Sequence, residues 1–251
     1  ADLRRAIIHD DFLPFFQPLV RLADGRQVGS EALVRWRHEH RGLLTPSDFI
    51  GVGEDSTLIE QIDWLMYGHV IAAMGELPGD HVSINVSPRH FLSDNFAERI
   101  LRMLDESRQD PRRLRIEITE VALIEDADRA LQVLRQLQRH GVYAVLDDFG
   151  TGFSALSYLH RFPIQGLKID RSFVTGLEGP TATESLALVR AILAMALTLG
   201  IDTTAEGIET EAQRGLLVEM GCQFGQGYLL GRPAPLTRGP AAAHPDAPAR
   251  A

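Results

Sequence analysis

The chain has 251 residues, 45% of them hydrophobic, which suits one large α/β domain with a sizeable core. Its formal net charge of −9 excludes binding of long nucleic acid through bulk electrostatics, while a small anionic ligand stays open if metal ions supply the positive charge. The single cysteine, Cys222, excludes an intramolecular disulfide and points to a reducing cytoplasm. No signal peptide and no apolar run of bilayer length is read from the sequence, and because the first residue is Ala the chain is expected to be a piece of a longer protein.

Residues 3–11 read as a short helix with Ile7 and Ile8 as its apolar contacts. His9-Asp10-Asp11 reads as its solvated end, because nothing nearby completes a metal site. Strands follow over 15–20 and 27–36. The Asp24-Gly25 between them is a hairpin signal, so these two strands are expected to run antiparallel. In the second, Ala32, Val34 and Trp36 fall on one face and Glu31, Leu33 and Arg35 on the other. A carboxylate buried on a strand is costly unless it is paired or binds a metal, and for Glu31 alone a core salt bridge fits as well as a ligand. His38-Glu39-His40 precede Arg41-Gly42 in a loop and read as surface residues. Pro46 then sits near the start of a helix carrying Ile59, Ile62, Leu65, Met66, Val70 and Ala73 at helical spacing.

From here strand and helix alternate. A strand over 81–87 sets Val82, Ile84 and Val86 against Ser83, Asn85 and Ser87, and a helix runs on to about 106. A strand over 114–120 sets Ile116 and Ile118 against Arg115, Glu117 and Thr119. A helix over 126–140 stops at Gly141, and a strand over 142–148 runs into Phe149-Gly150-Thr151-Gly152. A short helix over 154–160 and a strand over 165–170 come next, with Leu167 and Ile169 opposed to Lys168 and Asp170. Thr181-Ala182-Thr183-Glu184 and Thr210-Glu211-Ala212-Gln213 match capping boxes for helices ending at Gly200 and Gly221. Strands over 201–206 and 222–226 complete the set, and the Pro-, Ala- and Gly-rich residues 234–251 read as a disordered tail after one domain over 1–233. Eight strands, mostly separated by helices, indicate an α/β fold: a closed (β/α)8 TIM-like barrel with one strand antiparallel to the rest. The alternative, an open doubly wound sheet, lacks a Gly-x-Gly-x-x-Gly phosphate loop.

Barrel sites are built at the C-terminal ends of the strands. The polar residues there are Glu31, Asn85, Glu117, Asp147, Asp148, Lys168, Glu206 and Gln226. So many carboxylates in one mouth repel one another and favour protonation, unless divalent cations hold them together. Oxygen ligands without Cys or His favour hard ions such as Mg²⁺ or Mn²⁺. Adjacent Asp147 and Asp148 are placed to bridge and flank a metal pair about 3.5–4 Å apart, the arrangement used for phosphoester hydrolysis. By itself this pair could equally be a turn before Gly150, and Lys168 could be an ion pair with one of the acids.

The motifs Gln17-Pro18, Glu31-Ala32-Leu33 with Arg35-Trp36, Asn85-Val86-Ser87, Glu117-Ile118-Thr119-Glu120 and Asp147-Asp148-Phe149-Gly150-Thr151-Gly152 follow one another along the chain. They continue as Leu167-Lys168-Ile169-Asp170, Ala205-Glu206-Gly207 and Gln226-Gly227-Tyr228. In this order they resemble the EAL-domain family, the cyclic di-GMP phosphodiesterases. The resemblance implies hydrolysis of cyclic di-GMP to linear pGpG with two Mg²⁺ or Mn²⁺. It implies that Glu31, Asn85, Glu117 and Asp147 hold the first metal, Asp147 and Asp148 the second, and that Glu206 joins the second directly or through water. Lys168 would orient or deprotonate the attacking water. Glu120 would anchor the loop from Asp148 to Ser154, and Gln17, Arg35, Asp170 and Gln226 would contact the dinucleotide. A homodimer, an upstream regulatory domain and a cytoplasmic setting are implied as well. Glu39, Gly51-Val52-Gly53-Glu54 and Val121 depart from the family pattern without removing a ligand. A receptor that binds cyclic di-GMP without cleaving it is the competing function. Members of that kind lose metal or loop residues that this chain retains.

Overall fold

In the computed structural model, residues 2–49, 56–150 and 159–236 are described. Helix α1 (Asp2–Ile8) leads into β1 (Phe12–Arg21) and β2 (Gln27–His38), joined at Asp24-Gly25, where Gly25 takes a left-handed φ of 73°. The two strands pair antiparallel from Phe12↔Trp36 to Val20↔Gln27. The chain then runs through β3 (Gly42–Leu44), α2 (Pro46–Phe49), α3 (Ser56–Ala73), β4 (His81–Asn85), α4 (Pro88–Phe91) and α5 (Phe96–Glu106). It continues with β5 (Leu114–Thr119), α6 (Glu120–Glu125), α7 (Ala127–Arg139), β6 (Tyr143–Phe149), β7 (Gly166–Ile169), α8 (Arg171–Thr175) and α9 (Ala182–Leu199). β8 (Asp202–Ala205), α10 (Glu211–Glu219), β9 (Phe224–Gly225) and β10 (Ala234–Pro235) complete it.

The sheet closes in the order β1-β9-β8-β7-β6-β5-β4-β2, with β2 returning to β1. β1 is antiparallel to both of its barrel neighbours, while every other barrel pairing is parallel. The barrel is therefore the one the sequence pattern anticipates, with β1 as the reversed strand. Closure removes free edges and gathers the C-terminal ends of the parallel strands into one mouth.

The outward-facing aliphatics Val82, Ile84, Ile116, Ile118, Leu146, Leu167 and Ile169 are buried against α3, α5, α7 and α9. A second cluster of Phe12, Trp36, Leu44 and Phe49 closes the hairpin end, with Phe12 and Trp36 rings 5.6 Å apart. Helix α9 has a mean hydropathy of 1.6 over 18 residues, so it has the length and composition of a membrane span, which the sequence reading did not credit. In the fold it buries Val189, Ile192, Leu193 and Ala196 in the main core.

Two local expectations change. The box at Thr210 forms fully, with Gln213 reciprocating; that at Thr181 makes no capping side-chain bond. The sheet extends past the expected boundary at Pro233, because Ala234 and Pro235 pair with Phe16 and Phe15. Positions 154–158 of the helix expected over 154–160, and the Gly51–Glu54 departure, fall on residues outside those described.

At the N-terminal end of the barrel, His81 is buried and its Nε2 has no partner among the described residues. Its ring lies over Gly29, where a Cβ would come within 2.6 Å of it. Burial, then the guanidinium charges of Arg115 and Arg113, push its pKa from 6.5 down to about 3. The folded protein thus keeps His81 neutral where the unfolded chain takes up a proton. The associated stability is complete above about pH 6.5 and falls by about 1.4 kcal/mol per pH unit toward about pH 3. We expect His81→Gln to flatten the decline in urea midpoint between about pH 7 and about pH 5, where the parent loses about 2 kcal/mol from this group. Parallel pH slopes for parent and variant would remove His81 from that account.

Candidate active site

Strands β2, β5 and β7 keep regular alternation, and this turns Glu31, Glu117 and Lys168 into the barrel while their neighbours face the helices. All three are buried. Lys168 Nζ lies 2.6 Å from Glu117 Oε2, 3.1 Å from Glu31 Oε2, 2.6 Å from Glu206 Oε1 and 3.4 Å from Asp147 Oδ1. One ammonium therefore faces four carboxylates, a formal −3 when all are ionised. Asn85 Nδ2 donates to Glu31 Oε1 at 2.7 Å, and Gln226 Nε2 donates to Glu31 Oε2 at 2.7 Å. Gln226 also donates to Gln17 Oε1 at 2.9 Å, and Gln17 in turn donates to the Gly231 carbonyl at 3.0 Å.

Asp147 and Asp148 reach the mouth by a different route. Register between β6 and β7 passes from Leu146↔Leu167 to Phe149↔Ile169, so the two aspartates oppose the single residue Lys168. The extra residue is a bulge, and Asp148 within it has a left-handed φ of 52°. On a regular strand consecutive side chains point to opposite faces; the bulge breaks that rule. One carboxylate oxygen from each of Asp147, Asp148 and Glu206 lies within 4.8 Å of the others. Asp tolerates the left-handed region better than a branched or bulky residue does, and strain of this kind concentrates at functional sites. Glu120, the first residue of α6, accepts from Gly150 N–H at 3.1 Å, so it fixes the chain just past the bulge.

The electrostatics follow from the crowding. Burial drives the Glu117 carboxyl well above its ordinary range, with the Glu31 charge adding to it. Burial, with Asp147 and Glu31, raises Glu206 to about 7 against the opposing pull of Lys168. Burial and the neighbouring Asp147 raise Asp148. Glu31 goes the other way: burial would raise it, but Lys168 and the Asn85 and Gln226 amides hold it low. Burial would lower Lys168, and its carboxylate neighbours, Glu117 first, hold it well above the ordinary lysine value instead. Protons are thus stored where positive charge is short. All-oxygen donors with an excess of negative charge fit hard divalent cations.

Two cavities meet at this cluster, and Asp147 lines both. One, of about 440 Å³, is bounded by Leu33, Ile59, Met66, Tyr67 and Asn85. The other, of about 270 Å³, is bounded by Gln17, Arg171, Glu206, Gln226 and Tyr228. Below them an interior space of about 10 Å³ beside Ser83, Thr204 and Lys168 has room for about one water. A larger cavity of about 520 Å³, between α1 and the end of β2, contains none of the mouth acids; donor chemistry, not size, singles out the mouth.

Of the residues expected at the site, Glu31, Asn85, Glu117, Asp147, Asp148, Lys168, Glu206, Gln17 and Gln226 converge there. Arg35 stands at its edge, with Nη1 donating to the Val34 carbonyl at 2.8 Å and its guanidinium 5.7 Å from the Phe15 ring. Asp170 caps α8, accepting from Ser172 N–H at 2.9 Å. Arg171, absent from the sequence expectation, lines the smaller cavity. It is the first residue of α8, two positions past the end of β7, at the barrel end where sites form.

The closed (β/α)8 barrel carries at its mouth a cluster of acids around a buried lysine, of which Asp147, Asp148 and Glu206 could hold a metal ion. The chain belongs to the EAL domain family, whose model matches residues 1–233. It is 38% identical over 239 residues to the bifunctional diguanylate cyclase/cyclic di-GMP phosphodiesterase MucR of Pseudomonas aeruginosa, covering 93% of this chain and 35% of that protein. It is 36% identical to the cyclic di-GMP phosphodiesterase RocR of the same organism, covering 94% of this chain and 60% of RocR. The chain thus spans only part of the relatives it matches. The solved MucR phosphodiesterase in complex with c-di-GMP superposes with a TM-score of 0.87 at 38% identity, covering 93% of this chain and 96% of that one.

Proposed function

We propose that this domain hydrolyses cyclic di-GMP to linear pGpG, using two Mg²⁺ or Mn²⁺ ions. The observation that carries the reading is the cage of Glu31, Glu117, Asp147 and Glu206 around Lys168, set beside the bulged Asp147-Asp148 pair where two cavities meet. Glu31, Asn85, Glu117 and Asp147 would hold one ion, and Asp147 and Asp148 the other, with Glu206 direct or through water. Bound there, the ions would supply positive charge for the phosphate and lower the pKa of water. Water adds to phosphorus, the P–O3′ bond breaks and the O3′ oxygen leaves with a proton. The Lys168 ammonium orients the attacking water, Glu120 steadies the loop beyond Asp148, and Gln17, Arg35, Asp170 and Gln226 contact the dinucleotide. The domain works as a homodimer in the cytoplasm, attached to a regulatory domain; the partial coverage of MucR and RocR supports the attachment.

Chromatography of cyclic di-GMP incubated with the protein and Mg²⁺, Mn²⁺ or Ca²⁺ tests this reading. The expected outcome is a single linear dinucleotide bearing a 5′-phosphate, formed only with a divalent ion present. Tight binding with no product under any of the three ions would make the domain a receptor instead.

A further inference from the structure

Among the described residues lining the two mouth cavities, Arg171 is the one cation. Lys168 is sealed beneath them among its carboxylates, and Arg35 is turned to the Val34 carbonyl and the Phe15 ring. Arg171 is also held in place. Its stem crosses Gly207, whose φ is 67° and where a Cβ would fall 2.3 Å from Arg171 Cγ, so that glycine clears the path to the cavity. Its Nη2 donates to Glu209 Oε1 at 2.8 Å. Its backbone is set by Asp170, which caps the first turn of α8. Glu206, three residues before Glu209, lines the same cavity.

We propose that Arg171 binds the phosphodiester that is not being cleaved, an inference that rests on the cyclic dinucleotide reading above. Such a ligand carries two phosphates, and the acid cluster with its ions serves one. Of the two cavities that meet at the cluster, the smaller one alone presents a cation among its described lining residues, so it is the one suited to the other phosphate. The guanidinium has five N–H donors, and Glu209 occupies part of the fork, leaving donors for a phosphate oxygen. The Arg171–Glu209 pair is largely exposed, so it orients the side chain without competing strongly for it. The expected signature is on binding: Arg171 touches a group whose charge is the same before and after the attack, so it strengthens ground and transition states alike.

The test compares parent, Arg171→Gln and Arg171→Lys in steady-state hydrolysis of cyclic di-GMP with Mg²⁺ across a range of salt. For Arg171→Gln, KM rises about tenfold, kcat stays within about twofold, and KM depends less steeply on salt; Arg171→Lys recovers part of the loss. A KM within about twofold of the parent, or a loss confined to kcat, overturns the proposal. If the parent leaves cyclic di-GMP intact, it is the proposed function that fails, and calorimetry with cyclic di-GMP and Ca²⁺ then judges Arg171. An affinity about tenfold weaker in Arg171→Gln sustains its role, while equal affinities or no binding by the parent overturn it.

Discussion

Glu31→Ala should abolish turnover while leaving the barrel folded. Glu31 is the junction of the mouth: it accepts from Asn85, Gln226 and Lys168 at 2.7, 2.7 and 3.1 Å. Its carboxyl is the one in the cluster held below its ordinary range, so it remains charged where Glu117 and Glu206 are driven toward protonation. Its loss removes the most dependable anion from the place proposed for the first ion, and frees the Asn85 and Gln226 amides to turn away. Several kcal/mol of lost charge stabilisation correspond to a rate reduction of about 10³-fold or more. The fold is protected because the change also relieves repulsion among the remaining acids, and Lys168 keeps Glu117, Asp147 and Glu206 as partners. Purified Glu31→Ala is checked by far-UV circular dichroism and by turnover at saturating Mg²⁺. A native spectrum with near-normal turnover would remove Glu31 from the ligand set.

What the sequence made legible and what it hid divide along a physical line. Glu31, Glu117 and Lys168 sit on strands of regular alternation, and a period of two is enough to send them inward. That one strand runs against the rest was legible from the hairpin signal Asp24-Gly25; that it is β1 and not β2 follows only from the parallel pairing of β2 with β4. Asp147-Asp148 was not decidable in this way. A regular strand would set the two carboxylates on opposite faces, and the bulge that reunites them depends on pairing with Lys168, a partner 20 residues or more away in sequence. The cap at Thr210 formed and that at Thr181 did not, although both matched the same local pattern; at Thr210 the glutamine side chain returns to the Glu209 and Thr210 amides. Arg171 was missed because a single exposed arginine after a strand has no pattern of its own. Its place becomes visible only when Gly207 and Glu209, brought in from the next strand's end, are seen against it. The apolar α9 shows the converse, since composition alone cannot tell a helix that packs on a barrel from one suited to lipid.

Lys168→Ala should separate binding from chemistry. Lys168 is an ammonium: its carboxylate neighbours, Glu117 first, hold its pKa well above the ordinary lysine value against the effect of burial. In that charge state it acts on a neighbouring water by its charge and by donating hydrogen bonds. Lys168 is sealed below the two cavities, its nearest partners being Glu117 and Glu206 at 2.6 Å. Its removal should therefore cost little affinity for a ligand held by ions above it, while a positioned group of this kind contributes about 10²–10⁴-fold to rate. A second consequence follows from the same geometry. Without the ammonium, Glu31, Glu117, Asp147 and Glu206 have lost their common counter-charge, so the variant should be less stable than the parent without divalent ions and should gain more from adding them. Calorimetry of cyclic di-GMP binding in Ca²⁺, turnover in Mg²⁺ and thermal melts with and without Mg²⁺ on one preparation decide the matter. Affinity that collapses while kcat survives would make Lys168 a ligand anchor, and a melt equally sensitive to Mg²⁺ in parent and variant would mean that the four carboxylates do not rely on it for charge balance.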